Sequence, residues 1–158
     1  MVDRAVISSF AKATMQTLAE MCHTHAAPRR AKTDGERDPG NGVHAIIGMD
    51  GELNGAIGLS MAGPVACKIV GRMVGMEMEE VDSDVVDGVQ ELVNITIGRA
   101  KKLMEDSGLS FQFGLPKTLV GHQFAREDSE EYRTLPLVFT TDVGDVMALL
   151  TWRYDSAQ

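Results

Sequence analysis

Apolar positions recur every three to four residues from the N-terminus: Val6, Ile7, Phe10, Thr14, Thr17, Leu18 and Met21 share one side of a helical projection. That spacing predicts an amphipathic helix from about Asp3 to His23 with one face packed on a sheet. The period then lapses. "AAPRRAKTDGERDPGNG", from Ala26 to Gly42, is polar and rich in Gly and Pro, and predicts a loop at about 26–42. From Val43 the period becomes two, and "VHAIIGMDGELNGAIGLSM" sets Asp50-Gly51 between two β-rich runs, a strong hairpin signal. The second run alternates Leu53, Gly55, Ile57, Leu59 and Met61 with the small or polar Asn54, Ala56, Gly58 and Ser60. So smooth a face implies that something approaches it closely.

A helix is predicted from about Pro64 to Val74, with Pro64 in its first turn and Gly75 at its end. A longer one follows, with Asp82 or Ser83 as its N-cap and Gly108 near its close. The last third is strand-like: "FQFG", "LPKTLVGHQF", "RTLPLVFTT" and "VMALLTWRY", with a Gly-containing turn at Asp142 to Asp145. About six strands and three helices make an α+β fold, helices against a mainly antiparallel sheet. The 158 residues are expected to form a single domain, because that length supports one proper core and no second core flanks the polar loop.

Charge narrows the possible partners. Fifteen Lys and Arg against 23 Asp and Glu leave a net charge of −8, which repels phosphate backbones and anionic lipid. Neither nucleic acid nor membrane is expected as a partner. Cys22 and Cys67 stand in helix-like stretches without metal-ligand spacing and read as reduced, buried small hydrophobes. "MVDRAVISSFAKATMQTLAEM" is too polar for a secretory or membrane-spanning segment, so a cytoplasmic location is expected.

The candidate chemistry lies on the long helix. At about 100° per residue, Val85, Val86, Val89, Leu92, Val93, Thr96, Ile97, Ala100, Leu103 and Met104 fall in one apolar sector. Asp87, Glu91, Asn94, Gly98, Lys101 and Glu105 fall opposite, within roughly 80°. A solvated face is the bland explanation. Asn and Gly, however, cost roughly 0.5 and 1 kcal/mol against Ala in an exposed helix interior, which suggests a contact surface. Glu91 and Asn94 sit side by side, about 4.5 Å apart along the axis. A carboxamide both accepts and donates hydrogen bonds but cannot take a proton as a general base, so Asn94 suits the positioning of a water. The chain offers no competing constellation: no Ser-His-Asp signature, no GxxxxGK, no zinc-type Cys cluster.

Asp87-x-x-x-Glu91-x-x-Asn94, followed by "GRAK" and then by Pro116 in "LPKTLVG", resembles the signature of the CheC/CheX/FliY phosphatases. The single copy, with a "SM" hairpin before it, looks CheX-like, and the resemblance runs from about Val43 to Tyr154. It implies a CheC/CheX-like fold and removal of phosphate from the aspartyl phosphate of a response regulator such as CheY. Carried over, Asn94 enters the regulator's active site and orients the attacking water, while Glu91 pairs with the regulator's phosphate-site Lys. Asp87, Gly98 and Lys101 become partner-binding positions, with a buttress or helix-dipole role equally open for Asp87. The magnesium belongs to the regulator, so this chain is expected to bind no metal or cofactor. Relatives also imply a homodimer joined through its sheets, for which strands such as "VMALLTWRY", with edges to cover, give a motive.

One departure is Gly98-Arg99 where many relatives read Gly-Asn; Arg99 lies outside the stripe, so the change bears on which regulator is recognised rather than on catalysis. Pro116 reads as a strand-start residue, His44 and His122 as ordinary sheet residues, and "RMVGMEMEE" as core and cap. His23 and His25, at i and i+2 near a helix end, diverge too far for a metal site. The alternatives are a non-catalytic regulator-binding or flagellar-switch module of the same fold, and a small-molecule sensor using the face from Asn54 to Ser60.

Overall fold

The computed structural model describes residues 2–29, 42–120 and 133–154. Its elements run α1 (Val2–Cys22), β1 (Ala27–Arg29), β2 (Gly42–Gly51), β3 (Leu53–Ala62), α2 (Gly63–Val74), α3 (Ser83–Asp106), β4 (Phe111–Phe113), β5 (Lys117–Val120), β6 (Arg133–Thr141) and β7 (Gly144–Tyr154). The strands form one antiparallel sheet in the order β1-β6-β7-β3-β2-β4, with β5 also on β2.

Alternation along the central strands selects the buried face. Val43, Ala45 and Ile47 of β2, Ile57, Leu59 and Met61 of β3, and Val146, Ala148 and Leu150 of β7 are all buried. They share one side of the sheet by register, and α2 and α3 pack there. On the opposite side Ile46, Ala56, Leu149 and Thr151 are half-buried. The first helix departs from expectation. The principal neighbours of α1 are α3 and α2, and Phe10 reaches β4, its ring centroid 6.5 Å from that of Phe111. Buried hydroxyls on α1 are satisfied within the helix, Thr14 donating to the Phe10 carbonyl and Thr17 to that of Ala13.

The polar loop expected at about 26–42 begins instead with β1, a seventh strand pairing Ala27, Pro28 and Arg29 with Thr140, Phe139 and Val138 of β6. Pro28 lacks an N–H and is accommodated because β1 is an edge strand. Residues 30–41 lie outside the described residues, as do 121–132 with His122. The β2–β3 ladder closes at Met49 and Gly55, so its turn is longer than Asp50-Gly51 implied. Those two residues pair with Gln112 and Phe111 of β4. Gly55, where a Cβ would overlap the Thr151 carbonyl of β7, alternates with the smooth run of Asn54, Ala56, Gly58 and Ser60 rather than belonging to it. On the same run Ser60 is buried, its hydroxyl 3.0 Å from Nδ1 of the buried His44.

The far edge of β2 carries β4 and β5 in two different registers. Gly114, Leu115 and Pro116 separate Phe113 from Lys117, whereas β2 spends only Ile47 and Gly48 between their partners Ile46 and Met49. The edge therefore holds one extra residue, a β-bulge, which throws Leu115 outward to 88% exposure. Pro116 sits on this bulge, immediately before β5. Strand β7 is interior, flanked by β6 and β3, so the edge that "VMALLTWRY" was expected to expose does not exist.

A clamp closes the other end. Arg72 of α2 donates to both oxygens of Asp142 in the β6–β7 turn, at 2.9 and 2.7 Å, and to Thr24 beyond α1 at 3.0 Å. The guanidinium holds the Asp142 carboxyl below the usual carboxylate range. Both cysteines are free and buried, and burial pushes the Cys22 thiol up to about 11. Within the Met-rich stretch, Met73 and Met78 pack partly against the core, whereas Met76 is 65% exposed.

Helices α2 and α3 cross at Gly88, where a Cβ would stand 2.5 and 2.7 Å from the two methyls of Val70. Valine is stiff at χ1 in a helix and cannot swing aside. Gly88→Ala is therefore expected to destabilise the protein by about 1–3 kcal/mol through overpacking, outweighing a helix-propensity gain of about 1 kcal/mol. Urea denaturation measures the balance, and a stabilised variant would show that the crossing relaxes freely.

Candidate functional site

Helix α3 starts where an acidic cap can hold it. Asp82 is extended, and its Oδ1 accepts from the N–H groups of Asp84 and Val85 at 3.0 and 3.1 Å. The helix then runs to Asp106, with Gly108 at φ 86° beyond its end. Val85, Val89, Leu92, Val93, Thr96, Ile97, Ala100 and Met104 are fully buried, and the Thr96 hydroxyl donates to the Leu92 carbonyl at 2.7 Å. The apolar sector is thus committed to the core along the helix, with Val86 and Leu103 of the expected set only half-buried at its margins.

The opposite side emerges as the stripe. Asp87, Glu91, Asn94 and Glu105 are exposed, and Gly98 and Lys101 are half-buried beside them. Among the described residues, no side-chain hydrogen bond or ion pair engages Asp87, Glu91 or Asn94. A carboxylate and a carboxamide one turn apart are therefore free to meet groups from outside the chain. At Gly98 a Cβ would meet nothing within 4 Å, so internal packing does not require glycine there, in contrast to Gly88.

Neighbouring elements frame the stripe on both sides. On one flank Arg99 forms an ion pair with Glu20 of α1 at 2.7 Å, and this contact draws the Glu20 carboxyl below its usual range. Arg99 thus joins two helices beside the stripe. On the other flank the Lys101 ammonium lies 5.7 Å from the ring centroid of Phe113 in β4 and 4.0 Å from the Glu105 carboxylate. Gly88 and Phe113 are the contributors that the sequence reading passed over. The cost of glycine within a helix was a usable signal for Gly88, whereas nothing local announces that Phe113 lies under Lys101.

Among the described residues, shallow depressions of about 510 Å³ around Arg72 and Met76 and about 470 Å³ around Gly48 and Gln112 lie elsewhere, and neither includes a stripe residue. Among the described residues, no group of three or more His, Cys, Asp or Glu side chains could hold a metal ion. Nor is any described helix long and apolar enough to cross a membrane.

Comparison with known proteins places this geometry. The chemotaxis protein CheX from Vibrio vulnificus superposes with a TM-score of 0.82 at 21% identity, over 94% of this chain and 96% of that one. CheX from Desulfovibrio desulfuricans gives 0.78 at 22% identity, over 95% and 99%. The Borrelia burgdorferi CheX of a CheX-CheY-BeF3-Mg2+ complex gives 0.74 at 19% identity, over 93% and 97%. No curated protein sequence matches. The family model described as chemotaxis phosphatase CheX matches residues 43–140, which span β2 through most of β6 and all of α3, and the chain belongs to that family.

Proposed function

We propose that the chain removes the phosphoryl group from the aspartyl phosphate of a CheY-type response regulator. The observation that carries this reading is the pair Glu91 and Asn94, exposed and unengaged on the outward side of α3, in a member of the chemotaxis phosphatase CheX family. The Borrelia burgdorferi relative, captured with CheY, beryllium fluoride and magnesium, supports a regulator as the partner.

In this mechanism α3 docks over the regulator's phosphorylated aspartate. The Asn94 carboxamide holds a water in line with the phosphorus, Glu91 pairs with the regulator's phosphate-site Lys, and the magnesium is the regulator's own. The water oxygen bonds to phosphorus as the bond to the aspartyl oxygen breaks, leaving carboxylate and inorganic phosphate. Asn94 positions the water and takes no proton from it. An acyl phosphate is already labile, so fixing a water by an amide is sufficient for a rate gain of about 10²-fold, roughly 2.7 kcal/mol. An amide that orients the attacking water serves small GTPases in a similar way.

Phosphate release from a phosphorylated CheY-type regulator, with and without the chain, tests the reading. Asn94→Ala is expected to abolish stimulated release while moving stability by only about 0.5 kcal/mol, since the side chain is exposed. Glu91→Ala is expected to weaken binding as well as rate, by loss of an ion pair across the interface. Unchanged turnover by folded variants would overturn the mechanism, and tight binding by wild type without turnover would identify a non-catalytic module instead.

Gly98 gives a test with opposite signs. A side chain there meets open space, and Ala is favoured over Gly in a helix interior by about 1 kcal/mol. Gly98→Leu is expected to keep or raise the melting temperature yet lower regulator binding and phosphatase activity by steric exclusion. A variant that loses stability but keeps full activity would move the docking face elsewhere.

Self-association through the sheet is proposed as well, now at the β4–β5 edge, where Leu115 and Val120 are exposed and the strands, paired with β2 on one side, have no partner on the other among the described residues. Light scattering at micromolar concentration is expected to give the mass of a dimer, and a monomeric mass counts against it.

A further inference from the structure

Charge along the outward side of α3 is ordered. Asp84, Asp87 and Glu91 precede Asn94, no cation stands between Ser83 and Gly98, and Arg99, Lys101 and Lys102 follow. The acidic end is what a helix macrodipole favours, but the basic end is not. The last turn of α3 holds no basic residue and carries Glu105 and Asp106 instead, so Lys101 is not placed to satisfy the dipole. Arg99 is already used by Glu20. Lys101 alone of these cations lies within the stripe, seven residues and about 10.5 Å along the axis from Asn94.

Lys101 is also held in place rather than sweeping through solvent. Its side chain is 27% exposed, and the Phe113 ring, supplied by β4 just before the bulge, lies beneath the ammonium. Its one ionic contact among the described residues, to the exposed Glu105 at 4.0 Å, is an i,i+4 pair at the limit of contact distance and is readily given up. Toward Asn94 the intervening turn carries Gly98, whose missing side chain leaves that approach open. A cation restrained beside a cleared turn loses little freedom when it binds an anion.

We infer that Lys101 is a specificity-determining residue, which binds an acidic side chain of the response regulator about 10 Å from the phosphorylated aspartate. The inference rests on the reading that α3 docks onto a regulator. Glu91 on one side of Asn94 and Lys101 on the other make the stripe a dipole. A regulator turned end for end about Asn94 would set its acid against Asp87, seven residues to the other side, and would lose the pair between its phosphate-site Lys and Glu91. Two charge pairs of opposite sense therefore fix the direction of docking as well as its place.

Steady-state dephosphorylation of a CheY-type regulator, phosphorylated by acetyl phosphate, tests this with K101M, K101E and K101R at low salt and at about 0.5 M salt. K101M keeps an apolar stem on Phe113 and removes only the charge. It is expected to raise KM about three- to tenfold with kcat changed less than twofold. K101E is expected to raise KM further, K101R to stay near wild type, and the differences to shrink at high salt. Wild-type turnover with an unchanged KM for K101M and K101E at low salt would overturn the inference and leave the proposed function standing. A loss of kcat in K101M without a change in KM would also overturn it, by making Lys101 part of the chemistry. A wild-type chain that neither binds nor dephosphorylates the regulator would overturn the proposed function, and this inference with it.

Discussion

Whatever α3 offers a partner is fixed by the burial of its other side. Val85, Val89, Leu92, Val93, Ile97 and Met104 are removed from water in the core that α3 forms with α1, α2 and the sheet, and each large apolar side chain so buried stabilises the fold by about 1.5–3 kcal/mol. Turning the helix by a single residue, about 100°, would bring several of them to the surface together. The stripe is therefore held as firmly as the core, although its exposed members touch little. Glu91 and Asn94 stay on the outward side because the helix carrying them cannot rotate, a rigid placement that the proposed positioning role requires.

Much of this was legible from period and punctuation. The bounds of α3 follow from Asp82 and Gly108, and the outward set follows from counting residues around the helix. The pattern that carried the resemblance resides in side chains near in sequence, Asp87, Glu91 and Asn94, and so is readable without any tertiary knowledge. The losses have a common cause. Strand β1 is three residues with a central Pro, readable only once β6 is beside it. The interior place of β7, the Arg99–Glu20 pair and the ring beneath Lys101 all depend on which elements become neighbours, which no local window contains.

Two glycines on one helix illustrate the same limit. Gly88 and Gly98 have equal intrinsic cost and look alike in the chain, yet one admits the methyls of Val70 and the other faces nothing. Their difference is set by a crossing helix on one flank and open space on the outward side. A close approach inside the fold and a cleared surface outside it are the two reasons for a helix to keep a residue that weakens it. Only the structure tells them apart.

The bulge at Gly114 to Pro116 has a consequence for how such a protein can vary over generations. Because β4 and β5 are registered on β2 independently, the three residues between them already break phase with the sheet. Residues gained or lost at this corner would alter its length while leaving both ladders intact. The corner adjoins Phe113, hence the flank of α3, and it displays Leu115. Lineages can therefore remodel the rim of the helix face by insertion or deletion while the carboxylate and carboxamide stay where the core has placed them.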